Sequence, residues 1–320
     1  GRRGRRTPVE RPSIDVQIAT GITQLDDDSP RYRDRRVLDL IGRHTFEQVA
    51  DLLMVGELDG RAGHWRMPKQ AADHAVDVVG TAGSTDPLTS LALAALTLGA
   101  PAGGFQSGAG ADSAVDTARA LISIAPTLLG GPRRGSIAER LARTWVKYPV
   151  PEVIDAIETA LVLLADHELA TSTLAVRVAA SVRTEPAAAL ATGLNVVAGT
   201  YHGAASRAVA SLIDDAVRLG ADEAIGDRLA RGERLPGFGH TVYRTRDPRF
   251  APLLAKVRSI PNRGAEIASV DAIVAEAGRR VGHVPNIDLA LGALHHVARL
   301  PDDAPIFAIA RIAGWAAHYD

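Results

Sequence analysis

The chain has 320 residues, of which 46% are hydrophobic and 23% are charged, and its formal net charge is -1. This length allows one large or two medium domains with substantial cores, and the near-neutral charge excludes a strong overall attraction to nucleic acid or to membrane surfaces. The chain contains no cysteine, which excludes disulfides, thiolate catalysis and cysteine metal sites and leads us to expect a cytoplasmic location.

The first segment of the chain is basic. Four arginines fall within the first six residues, and Pro8 and Pro12 follow them. We therefore expect residues 1–15 to form a mobile basic arm. No aromatic residue interleaves these charges, so we expect no nucleic-acid partner. The segment also lacks the apolar stretch of a secretory signal, and the most apolar run, at 91–100, is too short to span a membrane.

Helical signals dominate after a loosely alternating stretch at 18–25, which predicts one short strand. Thr45 and Gln48 have the spacing of a capping box, and Gly56 is expected to end that helix. Pro151 suits the first position of a later helix. Further helices are predicted near 187–197, 203–219, 265–279 and 289–298, and the fold class is therefore predicted to be mainly α.

The glycine-rich segment at 101–112 follows a helix-like run and lacks a Lys-Ser or Lys-Thr ending. It predicts a flexible connection rather than a phosphate-binding loop. His295 and His296 are adjacent on a predicted helix, so they face different directions and make a poor metal pair. We expect no metal site and no permanently bound cofactor.

Four polar clusters carry residue types suited to catalysis. In the most informative one, His240 follows a Gly-Phe-Gly turn, and three arginines, Arg244, Arg246 and Arg249, come within the next nine residues. A histidine beside guanidinium groups suits a small anionic substrate, whereas a solvated basic loop is the plainer alternative. The clusters are 166–168, 199–205, 235–249 and 284–288.

The carboxylates and histidines of these clusters also have ordinary structural explanations. Asp166 and Asp288 both lie beside predicted helices, where aspartate is often a helix cap. A single histidine near an apolar face is usually a packed core or boundary residue. Residue type alone leaves these alternatives open.

Taken in order, the clusters resemble the citrate synthase family. The motifs are Gly-x-x-His-Gly, then Gly-Phe-Gly-His-x-Val-Tyr with Asp-Pro-Arg, then Pro-Asn-Ile-Asp. The resemblance also includes Tyr32-Arg33, the segment at 46–58, Asp166-His167-Glu168 and the segment at 307–318. It implies a citrate synthase-like fold in which a large helical domain, 16–204 with 292–320, is closed by a smaller helical domain, 205–291.

The resemblance implies condensation of acetyl-CoA with oxaloacetate, and it assigns three catalytic residues. Asp288 matches the base that removes a proton from the thioester methyl group. His202 matches the donor to the forming enol oxygen, and His240 matches the group that polarises the ketone of the oxo acid. A positioned base and a preorganised donor suit this chemistry because an enolate is strongly disfavoured in water.

The resemblance also assigns binding residues. His167, Arg249 and Arg311 match residues that hold the carboxylates of the oxo acid. Arg244 matches a position that meets a CoA phosphate, and the segment from Leu235 through Gly237, Phe238 and Gly239 would contact the adenine. CoA and acetyl-CoA are then product and substrate, the acyl-CoA and 2-oxo acid are the partners, and the protein is expected to be a homodimer.

Three departures from the family pattern leave alternatives open. Tyr201 replaces the usual leucine beside His202, and Leu169, Ala170 and Thr171 follow Glu168 where an asparagine is usual. The tail arginine that reaches the partner subunit's substrate has no counterpart in the printed chain. The alternatives are a 2-methylcitrate synthase that uses propionyl-CoA, or a non-catalytic member that binds CoA or an oxo acid.

Overall fold

The computed structural model describes residues 20–58, 65, 69–100, 111–199, 204–240, 242–243 and 245–319. The predicted basic arm, most of the glycine-rich segment, and the two site candidates His202 and Arg244 lie outside these residues. Fifteen helices and three very short strands account for the regular structure of the described residues. The predicted mainly α class is therefore confirmed.

The helices fall into an N-terminal series, a second series and a last helix that returns to the first. Helices α1 to α9 are Val37–Leu40, Phe46–Val55, Lys69–Thr81, Pro87–Gly99, Ala111–Leu128, Ile137–Trp145, Pro151–Leu164, Thr171–Ser181 and Pro186–Val197. Helices α10 to α15 are Ala204–Leu219, Ala221–Ala230, Phe250–Arg258, Gly264–Arg280, Ile287–Ala298 and Ile306–Ala317. Among these described helices, none has both the length and the apolarity needed to cross a lipid bilayer.

The strands form a small antiparallel sheet ahead of the first helix. Its strands are β1 (Thr23–Gln24), β2 (Arg31–Tyr32) and β3 (Arg35–Arg36). The strand predicted at 18–25 is therefore only two residues long in its described part, and two-residue partners are too short to show an alternating pattern. Tyr32 is fully buried, and its hydroxyl lies 3.0 Å from the carbonyl oxygen of Val162, which anchors the sheet to the end of α7.

The predicted helix boundaries agree with local capping chemistry. Thr45 is the N-cap of α2 in a complete capping box with Gln48, and Gly56 ends the helix in the left-handed conformation. Pro151 occupies the first position of α7. In contrast, α14 begins two residues before its predicted start because Asn286 caps it, and α5 begins at Ala111 inside the predicted loop.

Helix α15 lies at the centre of the first group of helices. It packs against α2, α5, α7, α8 and α9, and Trp315 on this helix is fully buried. Burying one large apolar side chain contributes roughly 1.5–3 kcal/mol. The last helix therefore organises the core that the first nine helices build.

The second group consists of α10 to α14. Helix α10 packs against α11, α13 and α14, and α12 packs against α14. Helices α12 and α14 also contact α7, so the second group meets the first at that helix. This arrangement brings the N-terminal end of α14 to the segment that follows α7.

Candidate active site

The glycine loop at 235–240 is hydrogen-bonded to the segment that leads into α14. The N–H of Gly239 donates to Val284 at 2.9 Å, and the N–H of Asn286 donates to the carbonyl of Gly237 at 2.9 Å. The Asn286 side-chain amide donates to the carbonyl of Gly239 at 2.7 Å. The loop that presents His240 is thus fixed to the segment that presents Asp288.

Gly237 allows this close approach. Its φ is +82°, and a Cβ atom at this position would lie 2.8 Å from Cβ of Leu289. Both the left-handed conformation and the close approach require glycine. Leu289 belongs to the first turn of α14, so the helix starts directly against the loop.

Asp288 lies in the first turn of α14, is half-buried and lines a cavity. It is not the helix cap, because Asn286 is the N-cap and accepts the N–H of Asp288 at 3.0 Å. Burial raises the pKa of Asp288, the charge of Asp247 raises it further, and the charge of Arg249 opposes them. A carboxylate with a raised pKa is a stronger base, as proton abstraction from carbon requires.

His240 is held as a neutral hydrogen-bond donor. Its Nδ1 atom accepts the N–H groups of Val242 at 3.0 Å and of Tyr243 at 3.2 Å. The single proton of a neutral imidazole must therefore be on Nε2. Burial lowers the pKa of His240, and the nearby Arg249 lowers it further, so the ring stays neutral near pH 7. Nε2–H is then the donor that the ring offers to a carbonyl oxygen.

Arg249 is buried in a bidentate pair with Asp247. Its Nε and Nη2 atoms each lie 2.9 Å from one carboxylate oxygen of Asp247, and both residues are at most 2% exposed. Asp247 also accepts the N–H of Ile287 at 2.9 Å. The Nη2 atom of Arg249 lies 3.4 Å from Nε2 of His240. The solvated-loop interpretation is therefore wrong for Arg249, although Arg246 on the same loop is largely exposed.

His167 follows α7 and faces the same place. Its ring centroid is 5.2 Å from that of His240 and 5.8 Å from that of Tyr243. Its Nε2 atom is buried without a hydrogen-bond partner among the described residues. Burial lowers the pKa of His167 well below its usual range, and the charges of Arg249 and Arg311 lower it further. The neutral ring can donate one hydrogen bond to a ligand.

Arg311 extends from the core helix α15 and is 2% exposed. Its Nε atom donates to the carbonyl of Leu164 at 2.9 Å, and its guanidinium lies 4.6 Å from the ring centroid of Phe307. No carboxylate in the described part of the chain forms an ion pair with it. A buried guanidinium without an ion-pair partner among these residues has the charge and the donors that suit a bound anion.

Asp166 is also not a helix cap. It lies between α7 and α8, and the N-cap of α8 is Ala170. Its Oδ2 atom accepts the N–H of Glu168 at 3.1 Å and lies 3.1 Å from Nε2 of His318. The residue therefore shapes the turn that carries His167.

Two residues of the site had no role in the sequence-based prediction. Tyr243 lies beside His240, with ring centroids 4.9 Å apart, and its buried hydroxyl has no partner among the described residues. Burial raises the pKa of this hydroxyl to about 12. The other is Asp247, which joins Arg249 to the first helical N–H of α14. Both belong to the quoted motif, but only their contacts indicate what they do.

A cavity of about 860 Å³ opens beside these groups. Leu235, Phe238 and Gly239 line it together with His240 and Asp288. Its other walls are formed by Leu229, Glu233, Arg234, Tyr243, Val281, His283, Val284 and Asn286. Two catalytic candidates, His240 and Asp288, and most of the proposed CoA-contacting loop thus face one space, whereas Gly237 lies behind it against Leu289.

Comparisons with known proteins identify the family of this chain. The family model described as "Citrate synthase, C-terminal domain" matches residues 16–320. The chain is 28% identical to 2-methylcitrate synthase of Mycobacterium tuberculosis, over 98% of this chain and 88% of the relative. It is 26% identical to citrate synthase of Mycolicibacterium smegmatis, over 98% of this chain and 92% of the relative.

Among solved structures, one similar fold is that of Thermoplasma acidophilum citrate synthase in a ternary complex with carboxymethyl coenzyme A and oxaloacetate. The TM-score is 0.77 at 24% identity, over 95% of this chain and 90% of that one. Because the family model covers nearly the whole sequence, the chain belongs to the citrate synthase family.

Proposed function

We propose that this protein condenses an acyl-CoA with a 2-oxo acid, converting acetyl-CoA, oxaloacetate and water into citrate and CoA. The observation that carries the proposal is the shared cavity of Asp288 and His240. A carboxylate with a raised pKa and a neutral imidazole donor face this space within reach of two buried arginines. That set matches a reaction in which a carbon acid is deprotonated and a ketone is polarised.

In the first step, Asp288 removes a proton from the methyl group of the thioester. By family resemblance, His202 donates a hydrogen bond to the enol oxygen that forms. The enol carbon then attacks the ketone carbon of the oxo acid, and the ketone oxygen receives the hydrogen bond of His240 Nε2–H as its charge grows. Hydrolysis of the resulting thioester by water releases CoA.

We assign the carboxylates of the oxo acid to Arg249, Arg311 and His167. Arg249 pairs with Asp247 through Nε and Nη2, and the pair orients its remaining edge. Arg311 has no ion-pair partner in the described residues. Guanidinium groups in a buried site bind carboxylates more strongly than they would in water.

We assign CoA to the cavity wall formed by Leu235, Phe238 and Gly239, with Gly237 shaping the loop from behind and Arg244 meeting a phosphate. CoA is then a substrate and product rather than a permanently bound cofactor. The cavity that Asp288 lines also reaches Glu233 and Arg234, and its volume is about 860 Å³.

Thiol release on mixing acetyl-CoA with oxaloacetate tests the assignment. We expect Asp288→Ala to lose nearly all of this release, because no other carboxylate on α14 lines the described cavity. Asp271→Asn removes a surface carboxylate that pairs with Arg258 and should retain wild-type activity. Equal background release by wild type and Asp288→Ala would exclude the activity.

Similarity to a protein named 2-methylcitrate synthase supports propionyl-CoA as a second candidate substrate of this chain. Discrimination of one methylene in an apolar pocket is worth only ~1–3 kcal/mol. Side-by-side kcat/KM values for acetyl-CoA and propionyl-CoA distinguish the two activities. Binding of CoA or oxaloacetate without turnover, measured by calorimetry, would instead indicate a non-catalytic member.

We further propose that the protein is a homodimer and that residues 205–291 close over the substrates as a smaller domain. Exposed apolar residues support the first proposal: Leu96 is on α4, Val178 is on α8 and Val182 follows α8, and both helices pack against α9. Sedimentation equilibrium gives the molecular mass that tests it.

The mutual packing of α10, α11, α13 and α14 supports the proposal that residues 205–291 close as a smaller domain. Helix α14 continues beyond residue 291, to Ala298.

A further inference from the structure

Helix α15 holds the segment after α7 through one of its faces. Arg311 Nε donates to the carbonyl of Leu164 at 2.9 Å, and the N–H of Gly314 donates to the carbonyl of Ala165 at 3.1 Å. His318 Nε2 lies 3.1 Å from Asp166 Oδ2. Residues at these spacings share one side of a helix. The chain just before His167 is thus fixed at three successive residues.

Gly314 makes this contact possible. A Cβ atom there would lie 2.4 Å from Oδ1 of Asp166 and 2.6 Å from the carbonyl oxygen of Ala165. Any larger residue would displace the helix from the turn. The approach brings His318, one helical turn further on, within hydrogen-bond distance of the Asp166 carboxylate.

Asp166 and His318 are each 1% exposed. Burial alone would raise the pKa of Asp166, but the hydrogen bond from His318 and the charge of Arg311 outweigh it, and the pKa lies below its usual range. The same carboxylate oxygen accepts the N–H of Glu168, which has a φ of +51°. Asp166 therefore fixes the backbone on both sides of His167.

We propose that the buried Asp166–His318 pair is a positioning device that aims His167 at the oxo acid beside Arg311. The inference rests on the proposed function, because it assigns the pair a role in binding that substrate. Neither residue touches the ligand. His318 acts through Asp166, and Asp166 acts through the turn at 166–168. At the centre of that turn, His167 presents to the site an Nε2 atom that has no partner among the described residues.

Steady-state kinetics test the proposal with three variants. His318→Leu removes the donor and should raise the KM for oxaloacetate about tenfold or more, since a small misplacement of a positioned group causes a large loss of binding or rate. The KM for acetyl-CoA, measured at saturating oxaloacetate, should change much less. His318→Gln keeps a donor at the distance of Nε2 and should restore most of the affinity. His295→Leu removes another buried histidine, on α14, and is the matched control.

The ring resonances of His167 in NMR spectra give a readout that does not need activity. They should shift in His318→Leu and stay close to wild type in His318→Gln and His295→Leu. If His318→Leu does not fold, Asp166→Asn is compared instead, since it retains only one of the two carboxylate acceptors. Unchanged His167 resonances and an unchanged oxaloacetate KM would overturn the positioning role. Failure of wild-type turnover would overturn the proposed function alone, because the NMR comparison still decides the role of the pair.

Discussion

At the scale of single residues, the backbone determines the chemistry of His240. Two N–H groups donate to its Nδ1 atom, which leaves Nε2 as the protonated nitrogen of the neutral ring. Arg249 lies close enough to disfavour an imidazolium. A neutral imidazole can donate to the ketone throughout the reaction without first losing a proton to solvent.

Replacement of His240 should therefore lower turnover more than binding. We expect His240→Leu to reduce kcat by ~10²–10³, the usual effect of removing one donor to a developing oxyanion. His240→Gln should lose less because its amide can still donate. Saturation kinetics with both substrates provide the measurement. A kcat for His240→Leu within a few-fold of wild type would exclude the proposed polarising role.

The carboxylate of Asp288 is expected to lower the stability of the fold near neutral pH, although activity requires it. Its folded-state pKa is raised, so it favours folding only at low pH, and this contribution is lost as pH rises through the folded pKa. At pH 7 the raised pKa of Asp288 therefore makes the folded state less stable than it is at low pH. Asp288→Asn should raise Tm by about 1–3 °C while abolishing condensation. A lower Tm by calorimetry would contradict this account of the site.

At the scale of secondary structure, two carboxylates, half-buried Glu158 and buried Glu47, hold helix ends in place. Glu158 on α7 accepts the N–H of Phe46 at the start of α2, and Glu47 on α2 accepts the N–H of Ile137 at the start of α6 at 2.8 Å. Burial, together with the charge of Glu47, raises the pKa of Glu158 to about 8. These contacts join α2, α6 and α7, which support the central helix.

This raised pKa makes stability depend on pH. Below the unfolded-state pKa Glu158 is protonated in both states, and its contribution is lost as pH rises toward about 8. We expect the free energy of unfolding of the wild type to fall more between about pH 5 and pH 8 than that of Glu158→Gln, which keeps an acceptor for Phe46. Urea denaturation at several pH values measures the difference. Glu223→Gln, an exposed change on α11, should follow the wild type, and parallel curves for Glu158→Gln and wild type would refute the prediction.

Sequence patterns predicted the elements that have clear end signals. The capping box at Thr45 and the proline at Pro151 each mark a helix start that the structure contains. Strands β2 and β3 escaped prediction because two residues cannot show a period. Several short helices, such as α8 and α11, lack a side-chain cap and gave no such signal.

The same limit applies to the site. His240 and Asp288 could be chosen from sequence because their motifs are distinctive. The role of Asp247 depends on Ile287, forty residues later, and that of Asp166 depends on His318 in the last helix. Contacts over such separations leave no local pattern. His202 and Arg244 lie outside the described residues, so their roles stay predictions.

At the scale of the whole molecule, the candidate site lies where the two groups of helices meet. The first group supplies His167 from the end of α7 and Arg311 from α15. The second supplies His240, Arg249 and Asp288. Neither group holds the complete set, so the proposed binding of the oxo acid and the thioester would depend on how the groups pack against each other. This agrees with the proposal that the smaller domain, residues 205–291, closes over the substrates.

The central claim is that Asp288 drives a carbon–carbon condensation and not a simple thioester hydrolysis. The most direct measurement is CoA release from acetyl-CoA by wild type and Asp288→Asn, with and without oxaloacetate, together with the citrate formed. We predict that wild type releases one CoA for each citrate, only when oxaloacetate is present, and that Asp288→Asn releases almost none. Release without oxaloacetate, or equal release by the two proteins, would contradict the account.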